Sequence, residues 1–144
     1  RDVVLSLRKR WDDLDKAVNR WVEDNRAGEP WWDHPQVLRV KYEQIVLEFE
    51  KTLRHICTFL NVPYEEQLAE FHRKPAFSLP KDIEKPTSEA GDDHKYYRTW
   101  QINQKLFNGS GKWRAGLTAE EKEIFKQKAG EMLVEYGYAS GMNW

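Results

Sequence analysis

Apolar residues recur at steps of three and four along the start of the chain: Val4, Leu7, Trp11, Leu14, Val18 and Trp21. That is the period of one helix face, and it predicts a single helix from about Asp2 to Ala27, stopped at Gly28. The next stretch, EPWWDHPQ, reads as a loop or small cap in which Trp31 and Trp32 pack over the helix end or form a lid. The run from Val37 to Tyr42 is short and β-branched, and it predicts a strand, inner or at an edge. Helical spacing returns with Ile45, Phe49, Leu53, Ile56 and Leu60 and predicts a second helix ending at Asn61 and Pro63. Cys57 falls beside its apolar face as a small buried side chain. A short third helix from Pro63 carries Leu68 and Phe71. Residues 74–93, with Pro75, Pro80 and Pro86, lack periodicity and read as a long loop, and HKYYRTWQINQKLF reads as either helix or irregular chain. Thr118 with Glu121 forms a capping box. It opens a last helix that turns Ile124, Phe125, Met132, Leu133 and Tyr136 inward and ends at Gly137.

The 144 residues suffice for one domain, residues 1–144. With 23 basic and 24 acidic side chains the net charge is −1, which argues against a general nucleic-acid or membrane-surface binder. A hydrophobic fraction of 40% with seven tryptophans argues against disorder and for large buried rings or an aromatic-lined pocket. One cysteine excludes an internal disulfide and a cysteine-based zinc site. The chain opens on Arg1 rather than Met, so further residues are expected upstream. No membrane span or signal-peptide pattern is present.

Two stretches carry candidate chemistry. The amino end of the first helix offers free backbone N–H groups, the positive end of the helix dipole, the Ser6 hydroxyl and the Arg1 charge, a combination suited to a phosphate. The loop NGSGKWR (residues 108–114) offers glycine-bearing backbone, the Ser110 hydroxyl, and the charges of Lys112 and Arg114. It lacks Walker-loop spacing, and an ordinary turn before a capped helix is the other reading. His34, His55, His72 and His94 show no metal-ligand spacing, so no metal is expected. Asp92-Asp93 reads as a solvated turn. No nucleophile elbow or dinucleotide fingerprint is present.

In order along the chain, three segments resemble the C-terminal half of a sulfotransferase that uses 3′-phosphoadenosine 5′-phosphosulfate (PAPS). RDVVLS resembles the end of the family's 3′-phosphate segment, R-N-P-[RK]-D-V-x-x-S. LRVKYEQIVLEFEKTLRHICTFLNVP resembles its strand, Tyr-Glu pair and following helix. GKWRAGLTAEEKEIF with EYGY resembles its G-x-W-[KR]-x-x-[LF]-T segment and last helix.

The resemblance implies an α/β fold of the P-loop nucleoside-kinase type, with a parallel sheet flanked by helices in three layers. This portion would be mostly helical, and the N-terminal P-loop half would lie upstream. It implies sulfuryl transfer from PAPS, as co-substrate, to a hydroxyl or amine of a small-molecule or carbohydrate acceptor, with no metal, nucleic acid or membrane as partner. Ser6 matches the serine on the 3′-phosphate, Tyr42 the tyrosine on adenine, and Gly109, Ser110 and Gly111 the loop closing over the 3′-phosphate. The family's Arg-Lys-Gly triplet reads Leu106-Phe107-Asn108 here, so Lys105 or Lys112 would supply its charge beside Arg1. The catalytic base and the 5′-phosphosulfate loop would lie upstream of residue 1, which implies that this chain alone is inactive. Members occur in the cytoplasm or the Golgi lumen, and the single cysteine favours the cytoplasm. A non-catalytic helical interaction module, binding through the Trp-rich segment from Trp11 to Trp32, is the alternative from the residues themselves.

Overall fold

The opening apolar stripe is carried by two helices, not one. The computed structural model describes residues 1–73, 100–102 and 104–144. In it α1 spans Asp2–Trp11 and α2 spans Leu14–Gly28. The break falls at two consecutive aspartates. Asp12 turns left-handed (φ 53°) and its N–H closes on the Arg8 carbonyl, a conformation that short polar side chains tolerate better than most. Asp13 then caps α2, its carboxylate accepting the Lys16 N–H at 2.9 Å. Stop and restart are both satisfied locally, which corrects the expected continuous helix.

The described residues form two compact units, Arg1–Arg39 with Gly109–Trp144, and Val40–Asn108. In the first, the stripe still meets one core despite the break. Val4, Ala17, Val18 and Trp21 are buried with Phe125, Ala129, Met132 and Leu133, while Leu7, Trp11 and Leu14 pack at its margin. The last four buried residues belong to α6 (Ala119–Glu135), which follows a single helical turn, α5 (Trp113–Gly116). Trp21 meets Phe125 edge-on at 5.9 Å between centroids, the arrangement ring quadrupoles favour. A smaller cluster joins Leu5 of α1 to Trp113 and Leu117. Ile124, expected inward, is exposed, while Tyr136 packs at the core margin.

Both ends of α6 follow their sequence signals. The Thr118 hydroxyl accepts the Glu121 N–H at 3.2 Å and the Glu121 carboxylate accepts the Thr118 N–H at 2.9 Å, the expected capping box. Gly137 adopts φ 69°. The N–H groups of Gly137 and Tyr138 return to the carbonyls of Val134 and Leu133, the left-handed closure that glycine makes cheap. Gly28 ends α2 without a left-handed turn: its φ is −81°. The chain tightens instead into a 3-10 turn, Glu29–Trp31, with Pro30 inside it. Trp32 packs edge-on against Tyr136 at 4.7 Å, whereas Trp31 is 60% exposed, so only one of the pair covers the helix end.

In the second unit the expected second helix is also two: α3 (Tyr42–Leu47) and α4 (Phe49–Phe59), separated at Glu48 (φ −130°, ψ 45°). The Gln44 carbonyl accepts both the Glu48 N–H and the buried Thr52 hydroxyl, each at 2.9 Å, which stabilises the offset. Asn61 (φ 55°) closes α4, with the N–H groups of Asn61 and Val62 on the carbonyls of Thr58 and Cys57, as its sequence signal predicts. Cys57 is buried. The expected third helix is a 3-10 segment, Glu66–Arg73, interrupted at Glu70; Phe71 in it meets Phe49 at 6.0 Å.

Residues 37–41 belong to no ladder among the described residues, and Tyr42 begins α3 instead of ending a strand. The reason is a cap that β-propensity hides: the Gln44 side-chain oxygen accepts the Lys41 N–H at 2.8 Å, which commits Tyr42 to the helix. The long loop expected over 74–93, with Asp92-Asp93 inside it, and His94 lie outside the described residues. No described helix is long and apolar enough to cross a membrane.

Candidate functional site

Three residues of α1, spaced three apart, hold the chain that leads into α6. Asp2, Leu5 and Arg8 share a helix face, and each meets a later part of the same segment in turn. The Asp2 carboxylate accepts the N–H of Gly111 through one oxygen and that of Trp113 through the other, both at 2.9 Å. Leu5 packs on Trp113 and Leu117. Arg8 donates to the Gly116 carbonyl at 3.1 Å and to the Glu121 carboxylate at 2.5 Å. The amino end of α1 and the NGSGKWR loop, recognised separately in the sequence, therefore come together.

Gly111 takes φ 84°, which a side chain would strain, and a Cβ there would lie 2.9 Å from the Arg114 guanidinium. Cations gather around the neighbouring indole. The Arg1 guanidinium lies 4.2 Å from the Trp113 ring centroid, Arg114 at 4.9 Å and Lys122 at 6.0 Å, within the range where the ring quadrupole attracts them. Lys122 also donates to the Arg114 carbonyl at 2.6 Å. Three positive side chains thus surround the Trp113 ring, with the Asp2 carboxylate on its backbone N–H and the Glu121 carboxylate paired to Arg8.

The expected phosphate groups fall as follows. Arg1 turns toward the C-terminal segment, donating to the Tyr138 carbonyl at 2.6 Å and lying 4.9 Å from the Trp144 ring. Ser6 sits one turn beyond Asp2, on the same side of α1 and exposed. Gly109, Ser110 and Gly111 are half-buried and Lys112 is exposed at the start of α5. These residues all belong to the first unit. Tyr42 and Lys105 belong to the second. There Tyr42, 44% exposed, donates its hydroxyl to the Phe107 carbonyl at 2.9 Å, which brings it beside the segment holding Lys105. His34 and His55 are exposed.

Asp2 is the member that sequence reasoning missed. It stood in RDVVLS as the mark of a helix start, and nothing in one sequence pairs it with amides more than a hundred residues away.

Residues 3–66 match the Sulfotransferase family. The matched span carries Ser6 and Tyr42, and it supports a sulfotransferase-family domain over those residues. No curated protein and no solved structure matches the chain.

Proposed function

We propose that this chain is the C-terminal portion of a PAPS-dependent sulfotransferase domain, supplying the nucleotide's 3′-phosphate and adenine contacts and part of the acceptor pocket. The family match over residues 3–66 carries the reading. The cations of Arg1, Arg114 and Lys122 gathered beside the loop at the α1 amino end support it. In this reading α1 and the 109–112 loop take the 3′-phosphate, through Ser6, Ser110 and the charges of Lys112 and Arg1. Tyr42 contacts adenine, and Lys105 adds charge in the second unit.

Residues 37–41 become a strand of a parallel sheet that the upstream half of an α/β fold completes. Sulfuryl transfer, like phosphoryl transfer, asks mostly for positioning and charge stabilisation. The base and the 5′-phosphosulfate clamp come from that upstream half, so this chain alone binds the nucleotide without turning over. The acceptor is a hydroxyl or amine on a small molecule or carbohydrate, and the cytoplasm is the proposed compartment.

The test is a thermal-shift titration with adenosine 3′,5′-bisphosphate. A ligand bound only by the folded state at a hundredfold excess over its Kd stabilises by about 2.7 kcal/mol. Stabilisation by the bisphosphate, absent with adenosine 5′-monophosphate and weakened in Ser6→Ala and Tyr42→Phe, is expected. Equal response to both nucleotides, or to neither, rejects the reading.

A further inference from the structure

An anion already sits on the loop proposed to meet the phosphate, and it belongs to the protein. Both Asp2 oxygens are engaged, one on the Gly111 N–H and one on the Trp113 N–H. Two backbone donors converging on one carboxylate form the concave amide arrangement that holds anions elsewhere. A phosphate placed on those same two amides would meet the Asp2 charge at contact distance. We propose that Asp2 is a positioning residue. It locks the turn at Gly111 against the first turn of α1, so that the loop turns side chains, not these two amides, toward a bound phosphate.

The surrounding geometry agrees. The lock holds Gly111 in the left-handed conformation that follows Ser110 and precedes Lys112. Leu5 and Arg8 fasten the next two stations of the same segment, at Trp113 and Leu117 and at Gly116 and Glu121. The turn is therefore fixed at both ends while Ser6, one helical turn past Asp2, stays exposed on α1. Charge-assisted bonds from backbone N–H to carboxylate are stronger than neutral ones, so the lock is set before any ligand arrives.

This inference rests on the nucleotide reading for its ligand, and the test separates the two. Amide hydrogen exchange is measured on the full chain without ligand, in the wild type, Asp2→Ala and Asp2→Asn. The last keeps one acceptor oxygen should Asp2→Ala fail to fold. Exchange at Gly111 and Trp113 is expected to rise at least ~10-fold in Asp2→Ala and less in Asp2→Asn, with the amides of α6 unchanged, since loops open independently of the core. Binding of adenosine 3′,5′-bisphosphate is expected to weaken ~10-fold or more in Asp2→Ala, the penalty of a misplaced binding group. Unchanged exchange at the two amides overturns the lock. Tighter binding in Asp2→Ala overturns the positioning role, because the carboxylate would then be competing with the ligand for those amides. A wild type that fails to bind the bisphosphate, with the exchange result as expected, overturns the nucleotide reading and the ligand half of this one, and leaves the lock itself established.

Discussion

The guanidinium of Arg8 meets the carboxylate of Glu121 at 2.5 Å, across 113 positions of sequence. Their side chains are 29% and 17% exposed. Glu121 thereby does two jobs: one oxygen takes Arg8 and the other takes the Thr118 N–H that opens α6. A capping residue tied to another helix fixes where α6 begins relative to α1, which a capping box alone does not.

Removing Glu121 is therefore costlier than removing an ordinary cap. Thr118→Ala should cost about 1 kcal/mol, the usual loss for an N-cap. Glu121→Ala should cost about 1–2 kcal/mol, losing the cap arm together with a partly buried ion pair. Urea unfolding of Arg8→Ala, Glu121→Ala and the double variant measures the pair. Additive losses would mean that the contact contributes nothing beyond its members.

Two glycines should respond oppositely to alanine. At Gly116 a Cβ would stand 2.6 Å from Leu5 Cδ2 and 2.9 Å from Cδ1, and Leu5 is buried against Trp113 and Leu117. Gly116→Ala should destabilise by about 1–3 kcal/mol as an overpacked contact. At Gly130, within α6, the nearest atom is Met142 Cε at 2.6 Å, the far end of a flexible, 41% exposed side chain. Once Met142 swings aside, Gly130→Ala should gain up to about 1 kcal/mol from helix propensity. Melting temperatures moving in the same direction for both variants would contradict this account.

What was legible in the sequence is what neighbouring residues settle among themselves. The stripe from Val4 to Trp21, the box at Thr118 and the closures at Asn61 and Gly137 all appear where local spacing puts them. Both helix breaks were missed, because apolar periodicity runs straight through Asp12-Asp13 and through Glu48. The signals were polar and lay between the apolar positions: paired aspartates in one case, a threonine on an apolar face in the other. The strand expected over residues 37–42 failed at its end for a related reason, since Gln44 caps Lys41 with a side chain that hydropathy ignores. Of the site, the loop and the α1 amino end were each visible. Their joining by Asp2 and Arg8 was not, because it depends on tertiary packing.

The break at Glu48 makes its own prediction. The Thr52 side chain is buried and its hydroxyl donates to the Gln44 carbonyl at 2.9 Å. Thr52→Val keeps the shape and removes the donor, and should cost about 1 kcal/mol. Thr52→Ser keeps the bond and should lose less. If valine proves as stable as threonine in urea, the hydroxyl does not hold the offset between α3 and α4.

Alkaline pH should weaken the first unit through Tyr136. Burial pushes its phenol well above the ordinary tyrosine range, and the hydrogen bond it donates to Glu29, with that carboxylate's charge, pushes further in the same direction. The Arg26 guanidinium beside Glu29 pulls the other way without cancelling them. The folded state therefore keeps this proton after the unfolded chain has released it, at a reference pKa of about 10. With more protons bound in the folded state, stability falls as pH rises. The contribution is complete below about pH 10 and is lost progressively above it, until the folded phenol ionises. Other tyrosines and lysines titrate in the same range, so the informative quantity is the difference between the wild type and Tyr136→Phe. Phenylalanine keeps the packing against Trp21 and Trp32 but loses the bond to Glu29, at about 1–2 kcal/mol near neutral pH. Unfolding in urea at pH 8, 9, 10 and 11 should show the wild type's advantage steady at first and shrinking from pH 10 onward. An advantage that stays constant to pH 11 would show that the proton between Tyr136 and Glu29 adds nothing to the fold.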